Sequence, residues 1–121
     1  LPRDTEQQKE DRIKAIQAAS INAAEVPLHV ARSAVQIIRL AVRAAEIGNV
    51  NAISDAGTAS ALAQAALQGA GLNVRINLLG LEKESDPARM LNELRGLEKQ
   101  AEKLDEGLRQ TLIERGGLTL S

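Results

Sequence analysis

The fold is decided by residues 27–48, which read PLHVARSAVQIIRLAVRAAEIG. Polar side chains recur there every three or four residues and form one narrow stripe on a helix: His29, Arg32, Gln36, Arg39, Arg43 and Glu46. The rest of the segment is aliphatic or small, so its apolar arc is wide enough to contact more than one neighbouring helix. The segment therefore predicts the central helix of a bundle, closed at Gly48 by a left-handed glycine cap.

An earlier helix is predicted over residues 6–25. Thr5 followed by Gln8 fits a capping box, in which a hydroxyl and an amide satisfy backbone N–H groups at a helix start. Proline disfavours the helical conformation of the residue before it. The chain is therefore expected to break or kink at Val26, with Pro27 at or near the start of the central helix.

The helix after the central one is predicted to begin with Ser54 or Asp55 as its cap and to run to about Leu81. Its alanines recur every three or four residues, at Ala56, Ala59, Ala63, Ala66 and Ala70. A glycine inside a helix costs roughly 1 kcal/mol relative to alanine. The glycines of this segment therefore indicate close packing or the approach of a ligand: Gly57, Gly69 and Gly71.

A last helix is predicted to start after Ser85 and Asp86, with Pro87 at its first position, and to stop at Gly116 and Gly117. It carries a heptad seam of Met90, Leu94, Leu97, Ala101, Leu104 and Leu108. The whole pattern predicts an all-α fold, an antiparallel bundle of about four helices in a single domain over 1–121. Its wide apolar faces predict a homodimer or higher homo-oligomer, paired through the last helix or the alanine-rich helix.

Composition limits the functions open to the chain. It has 121 residues with no cysteine, one histidine and no aromatic residue. Disulfides, thiolate metal sites and a cysteine nucleophile are excluded, and no metal site is expected. The formal net charge of -1 gives no reason to expect nucleic acid or an anionic membrane as a partner. No apolar run reaches the roughly 18–20 residues of a membrane span, so we expect a cytoplasmic domain.

Two polar clusters stand out from the apolar background. The first surrounds a helix start, where backbone N–H groups and the helix dipole favour an anion, and it contains Asn49, Asn51, Ser54 and Asp55. Ordinary turn geometry and helix capping also explain these residue types. The second cluster is Asn73 and Asn77, whose amides share a helix face. These amides either satisfy a helix end or bind the hydrogen-bonding edge of a ligand.

Three segments in order resemble a known family: Val26-Pro27-Leu28, GNVNAISDAG at 48–57 and GAGLNVRINL at 69–78. They are similar to the cyclodeaminase/cyclohydrolase family, which comprises the C-terminal domains of formiminotransferase-cyclodeaminases and the related methenyltetrahydrofolate cyclohydrolases. Members of that family are longer and carry an N-terminal glycine-rich loop. The resemblance therefore implies that this chain is the C-terminal portion of a longer domain.

The resemblance implies an all-helical, dimer-forming domain whose substrate is a tetrahydrofolate one-carbon derivative, with no covalently bound cofactor. One reaction cyclises 5-formiminotetrahydrofolate to 5,10-methenyltetrahydrofolate with release of ammonia, and the other interconverts methenyl and formyl forms with water. Asp55 is then expected to transfer a proton or stabilise a cation. The expected substrate-binding residues are Asn49, Asn51, Ser54, Asn73 and Asn77. A non-catalytic helical assembly module derived from the same family is the alternative.

Overall fold

The computed structural model describes residues 5–120, and within that range every regular element is helical. Helix α1 spans Glu6–Ile47, α2 spans Ile53–Asn77 and α3 spans Ser85–Glu114, with a 3-10 turn at Val50–Ala52. α1 packs against both α2 and α3, and α2 also contacts α3. The prediction of an all-α fold is confirmed, but this part of the chain has three α-helices where about four were expected.

The predicted break at Val26 is wrong, because α1 continues through Pro27. The helix expected over 6–25 and the central helix are therefore one element. A proline inside a helix removes one backbone hydrogen bond and costs about 3 kcal/mol. Ala24 and Leu28, on either side of Pro27, are fully buried in the core. Packing against the other helices offsets the proline and keeps this stretch helical.

Gly48 ends α1, but not with the left-handed cap expected of a glycine. Its backbone is extended, with φ -77° and ψ -177°. Glycine is needed for a different reason: a Cβ at this position would lie 2.5 Å from the carbonyl oxygen of Ala44. The Gly48 N–H donates to that same oxygen at 2.7 Å, so the close approach also satisfies a carbonyl at the end of the helix.

The start of α2 is capped differently from the prediction, since neither Ser54 nor Asp55 is its cap. The N-cap residue is Ala52, which makes no side-chain cap. Asn49 instead caps the preceding 3-10 turn, where its Oδ1 accepts from the Asn51 N–H at 2.9 Å. Because that turn runs directly into α2, one asparagine organises the entry to both elements.

The other helix ends lie close to their predicted positions. α2 ends at Asn77, four residues before Leu81. α3 begins at Ser85, which puts Pro87 at the third helical position and not the first. The first four N–H groups of a helix have no partner within it, so proline is tolerated there. Beyond α3, Gly117 has a φ of +68°, the left-handed conformation that favours glycine.

The core lies between the three helices and is built from alanine, leucine, valine and isoleucine with one methionine. Most of the predicted α3 seam is buried in it: Met90, Leu94, Ala101 and Leu108. Leu97 and Leu104 are half-buried and pack against the same core. The seam is therefore used within this chain, and a pairing of two copies through α3 would need another face of that helix.

Two ion pairs tie α3 to the other helices. Arg32 of α1 forms a bidentate pair with Glu93, in which Nη2 donates to Oε1 at 2.9 Å. Arg75 of α2 forms a second bidentate pair with Glu98, at 3.0 and 2.6 Å. The hydrogen bonds from Arg32 hold the pKa of Glu93 below its ordinary value, although partial burial opposes that shift. The polar stripe predicted from residues 27–48 thus lies partly against α3.

Candidate functional site

Four of the six predicted site residues lie along a groove between α1 and α2: Asn49, Asp55, Asn73 and Asn77. Two hollows open into this groove, and neither is lined by any residue of α3. The first, here called the Pro27 hollow, has a volume of about 520 Å³ and is lined by Ala23, Val26, Pro27, Val30, Ala66, Gly69, Ala70, Asn73 and Asn77. The second, the Asp55 hollow, has about 430 Å³ and is lined by Ile37, Leu40, Ala41, Ala44, Gly48, Asn49, Ala52, Asp55, Ala56 and Ala59.

Both hollows lie on one face of the helix pair. Asp55 and Asn73 are 18 residues apart on α2, which is about five turns and returns the side chain to the same face. Val26 and Ala44 on α1 have the same separation. At 1.5 Å per residue, Asp55 and Asn73 are about 27 Å apart along α2. The structure therefore aligns the two predicted clusters but keeps them in separate hollows.

The Pro27 hollow combines an apolar wall with two asparagines. The Asn77 Nδ2 donates to the backbone oxygen of Asn73 at 2.9 Å, which fixes the Asn77 amide against the last turn of α2. The Asn73 carboxamide is exposed and makes no hydrogen bond to any residue between 5 and 120. It therefore presents one free acceptor and two free donors at the rim of the hollow.

The Asp55 hollow holds the one charged side chain among the residues lining either hollow. Asp55 is exposed and lies in the first turn of α2, where a negative charge interacts favourably with the helix dipole. Asn49 lines the same hollow, and its backbone oxygen accepts from the Ala52 N–H at 3.0 Å. The structure thus brings Asp55 and Asn49 together, as the first predicted cluster requires.

Two members of the predicted site do not line either hollow. Asn51 is exposed and contributes its backbone N–H to the Asn49 cap. Ser54 lies on another side of α2, in a cleft formed with Leu112 and Leu118. Consecutive residues of a helix are about 100° apart in direction, and here Asp55 lines the groove while Ser54 lies in the cleft next to α3.

Arg115 also contributes to this region, although no sequence pattern pointed to it. Its Nη1 donates to the Ala45 oxygen at 2.8 Å and its Nη2 to the Gly48 oxygen at 2.5 Å. The guanidinium thus binds carbonyl groups at the C-terminus of α1, where a positive charge is favourable. No local sequence signal could reveal this contact, because the partners are 67 and 70 residues apart.

The groove can bind a ligand through hydrogen bonds and through one carboxylate, that of Asp55. Within residues 5–120, no group of three histidine, aspartate or glutamate side chains is arranged to hold a metal ion. No helix of this part of the chain is long and apolar enough to span a membrane. The groove offers amides, backbone groups and Asp55, which suit a neutral or cationic ligand with amide-like edges.

Comparison with known proteins identifies the relatives of this chain. A family model described as formiminotransferase-cyclodeaminase matches residues 1–96, which include both hollows but not Arg115. A methenyltetrahydrofolate cyclohydrolase of Methylorubrum extorquens is 41% identical over 112 residues, covering 93% of this chain and 54% of that protein. The chain therefore spans about half the length of that curated relative.

Proposed function

Since the chain belongs to the formiminotransferase-cyclodeaminase family, we propose that it contributes a binding site for a tetrahydrofolate one-carbon derivative. The observation that carries this proposal is the groove between α1 and α2, whose hollows contain the polar side chains that the family match covers. The proposed reaction is that of a methenyltetrahydrofolate cyclohydrolase, because the 41% identical relative bears that name.

The proposed reaction gives Asp55 a definite task. Water adds to the cationic methenyl carbon held between two nitrogens. One carbon–nitrogen bond then breaks, which leaves a formyl group on the other nitrogen and releases one proton. A carboxylate can accept the proton of the attacking water and can also stabilise the cation electrostatically. Asp55 is the carboxylate that lines the groove, and Asn49 in the same hollow is proposed to orient the substrate.

Cyclodeaminase activity is the neighbouring proposal within the same family. There the aniline nitrogen of 5-formiminotetrahydrofolate attacks the formimino carbon and ammonia leaves, which again requires a proton acceptor and donor. The two activities differ in their products, since only the cyclodeaminase releases ammonia from 5-formiminotetrahydrofolate. Measuring ammonia release beside methenyl hydrolysis therefore separates them.

A role in assembly is the second candidate function, and exposed apolar side chains on the groove favour it. Val26 and Leu40 of α1 are each 70% exposed, and Leu62 of α2 is 69% exposed. Large contiguous patches of exposed apolar side chains mark interaction surfaces in many soluble proteins. This candidate predicts a homo-oligomer that binds no folate, and sedimentation with and without folate tests it.

The test of the catalytic proposal compares Asp55→Asn with Asp11→Asn, a control on an exposed part of α1 outside both hollows. Loss of the absorbance of 5,10-methenyltetrahydrofolate measures hydrolysis, and circular dichroism verifies folding. We expect Asp55→Asn to lower the rate by about 100-fold or more and Asp11→Asn to leave it unchanged. If the folded wild-type chain neither hydrolyses nor binds the folate, the proposed function is wrong.

A further inference from the structure

Pro27 cannot donate a hydrogen bond to the Ala23 carbonyl, and both residues line the Pro27 hollow. Proline has no N–H, so the Ala23 carbonyl lacks the donor that the residue four positions later supplies in an uninterrupted helix. Ala23 and Pro27 both line the hollow, and a helical carbonyl lies between its own residue and the one four positions later. The Ala23 carbonyl on this wall therefore lacks its usual helical donor.

Gly69 faces this position from α2 and leaves the opposite wall open. It lies inside α2, where glycine weakens a helix. Close packing does not explain it, because a Cβ built at Gly69 would have no neighbouring atom within 4 Å. The two residues of this hollow least suited to a helix thus have local effects: Pro27 leaves the Ala23 carbonyl without its usual donor, and Gly69 leaves open space. Such departures from local helix preference are typical of functional sites.

Asn73 completes the set of unpartnered groups. Its carboxamide lies at the rim with no hydrogen bond to any other residue in the described range, while the neighbouring Asn77 is held by the Asn73 backbone. An Asn side chain can donate and accept in one plane. Together with the Ala23 carbonyl, it matches a planar ligand edge on which an N–H stands beside a carbonyl oxygen.

We propose that the Pro27 hollow is a subsite for a planar amide edge of the folate, bound by the Ala23 carbonyl and the Asn73 carboxamide. This inference rests on the proposed function and assigns part of the ligand to a specific hollow. Two parts of a folate have such an edge: the pterin ring and the amide of the p-aminobenzoylglutamate tail. The shared chemistry is an N–H donor beside a C=O acceptor.

The decisive variant is Pro27→Ala, because it restores the N–H that pairs with the Ala23 carbonyl. We expect its melting temperature to rise while its affinity for 5-formyltetrahydrofolate, measured by calorimetry, falls about three- to tenfold, the effect of one lost hydrogen bond. Gly69→Ala has room for its methyl group and is expected to stabilise α2 while also weakening binding, since the methyl group enters the hollow.

Gly107→Ala is the matched control. Gly107 is likewise inside a helix with no atom within 4 Å of an added Cβ, but it lies on α3, outside both hollows. It should raise the melting temperature without changing affinity. Unchanged affinity in both Pro27→Ala and Gly69→Ala, with a wild-type chain that binds the folate, would overturn this inference and leave the proposed function standing. A wild-type chain that binds no folate would overturn both.

The two fragments, a tetrahydropterin and p-aminobenzoylglutamate, identify the part of the ligand that is bound. Either fragment supports the inference if it shifts the backbone amide resonances of Ala23, Gly69 and Asn73. Shifts caused by both fragments at other positions only would contradict it. With either fragment bound there, the methenyl carbon is out of reach of Asp55 of the same chain, which lies about 27 Å away along α2, so Asp55 would act on a folate held in the Pro27 hollow of a second copy.

Discussion

Removing the Arg115 side chain should loosen the junction between α1 and α2. This junction carries Asn49, which lines the Asp55 hollow. Each of the two hydrogen bonds from Arg115 contributes about 0.5–1.5 kcal/mol net, and a cation at a helix C-terminus adds about 0.3–1 kcal/mol. Because the side chain is exposed, the lower part of each range applies. We expect Arg115→Ala to reduce the free energy of unfolding by about 1.5 kcal/mol and the melting temperature by about 4–8 °C.

Urea denaturation measures the loss of stability, and amide hydrogen exchange localises it. The Asn51 and Ala52 N–H groups, which bond to Asn49, should exchange faster in Arg115→Ala. Arg115→Lys keeps the charge but loses the fork that spans two carbonyl groups, so it should recover about half of the lost stability. Arg95→Ala is the control, because among residues 5–120 Arg95 bonds only to Asn92 of its own helix. Unfolding of Arg115→Ala at the wild-type urea concentration, with unchanged amide exchange, would show that Arg115 does not stabilise this junction.

Three further predictions concern the fold. The pKa of Glu93 is lowered in the folded state. Its pair with Arg32 therefore stabilises the fold above the ordinary glutamate pKa, and this stability is lost as the pH falls through the lowered pKa. Glu93→Gln should accordingly make the free energy of unfolding depend less steeply on pH in the acid range. The Ser60 hydroxyl is buried without a hydrogen-bond partner in the described chain, so Ser60→Ala should raise the free energy of unfolding by about 1 kcal/mol, and a loss of stability would reveal a partner. Replacing both Leu97 and Leu104 with Asp should lower the melting temperature sharply, because both pack against the core. An unchanged melting temperature and sedimentation would contradict the burial of the α3 seam.

The helices could be predicted from sequence because their signals are local. The Thr5 capping box is present as expected, with bonds of 3.1 and 2.8 Å to Gln8, and the α3 seam lies in the core. The continuity of α1 through Pro27 could not be predicted, because the local rule for proline gives a break. What overrides it is the burial of Ala24 and Leu28 against other helices, a tertiary effect.

The candidate site was predicted only in part. The shared face of Asp55 and Asn73 follows from their spacing once α2 is known to be continuous, and so does their separation. The hollows themselves depend on how α1 packs on α2, which brings Pro27 beside Gly69. Periodicity within a helix carries no information about that packing. The two polar clusters line separate hollows of the same groove.

Folate binding in the groove between α1 and α2 is tested most directly by titrating the isotopically labelled chain with 5-formyltetrahydrofolate and following the backbone amide chemical shifts. We expect saturable shifts concentrated in this groove, including Asn73 in the Pro27 hollow, with the outer face of α3 unaffected. The absence of saturable shifts, or shifts confined to α3, would contradict the claim that this groove binds a folate.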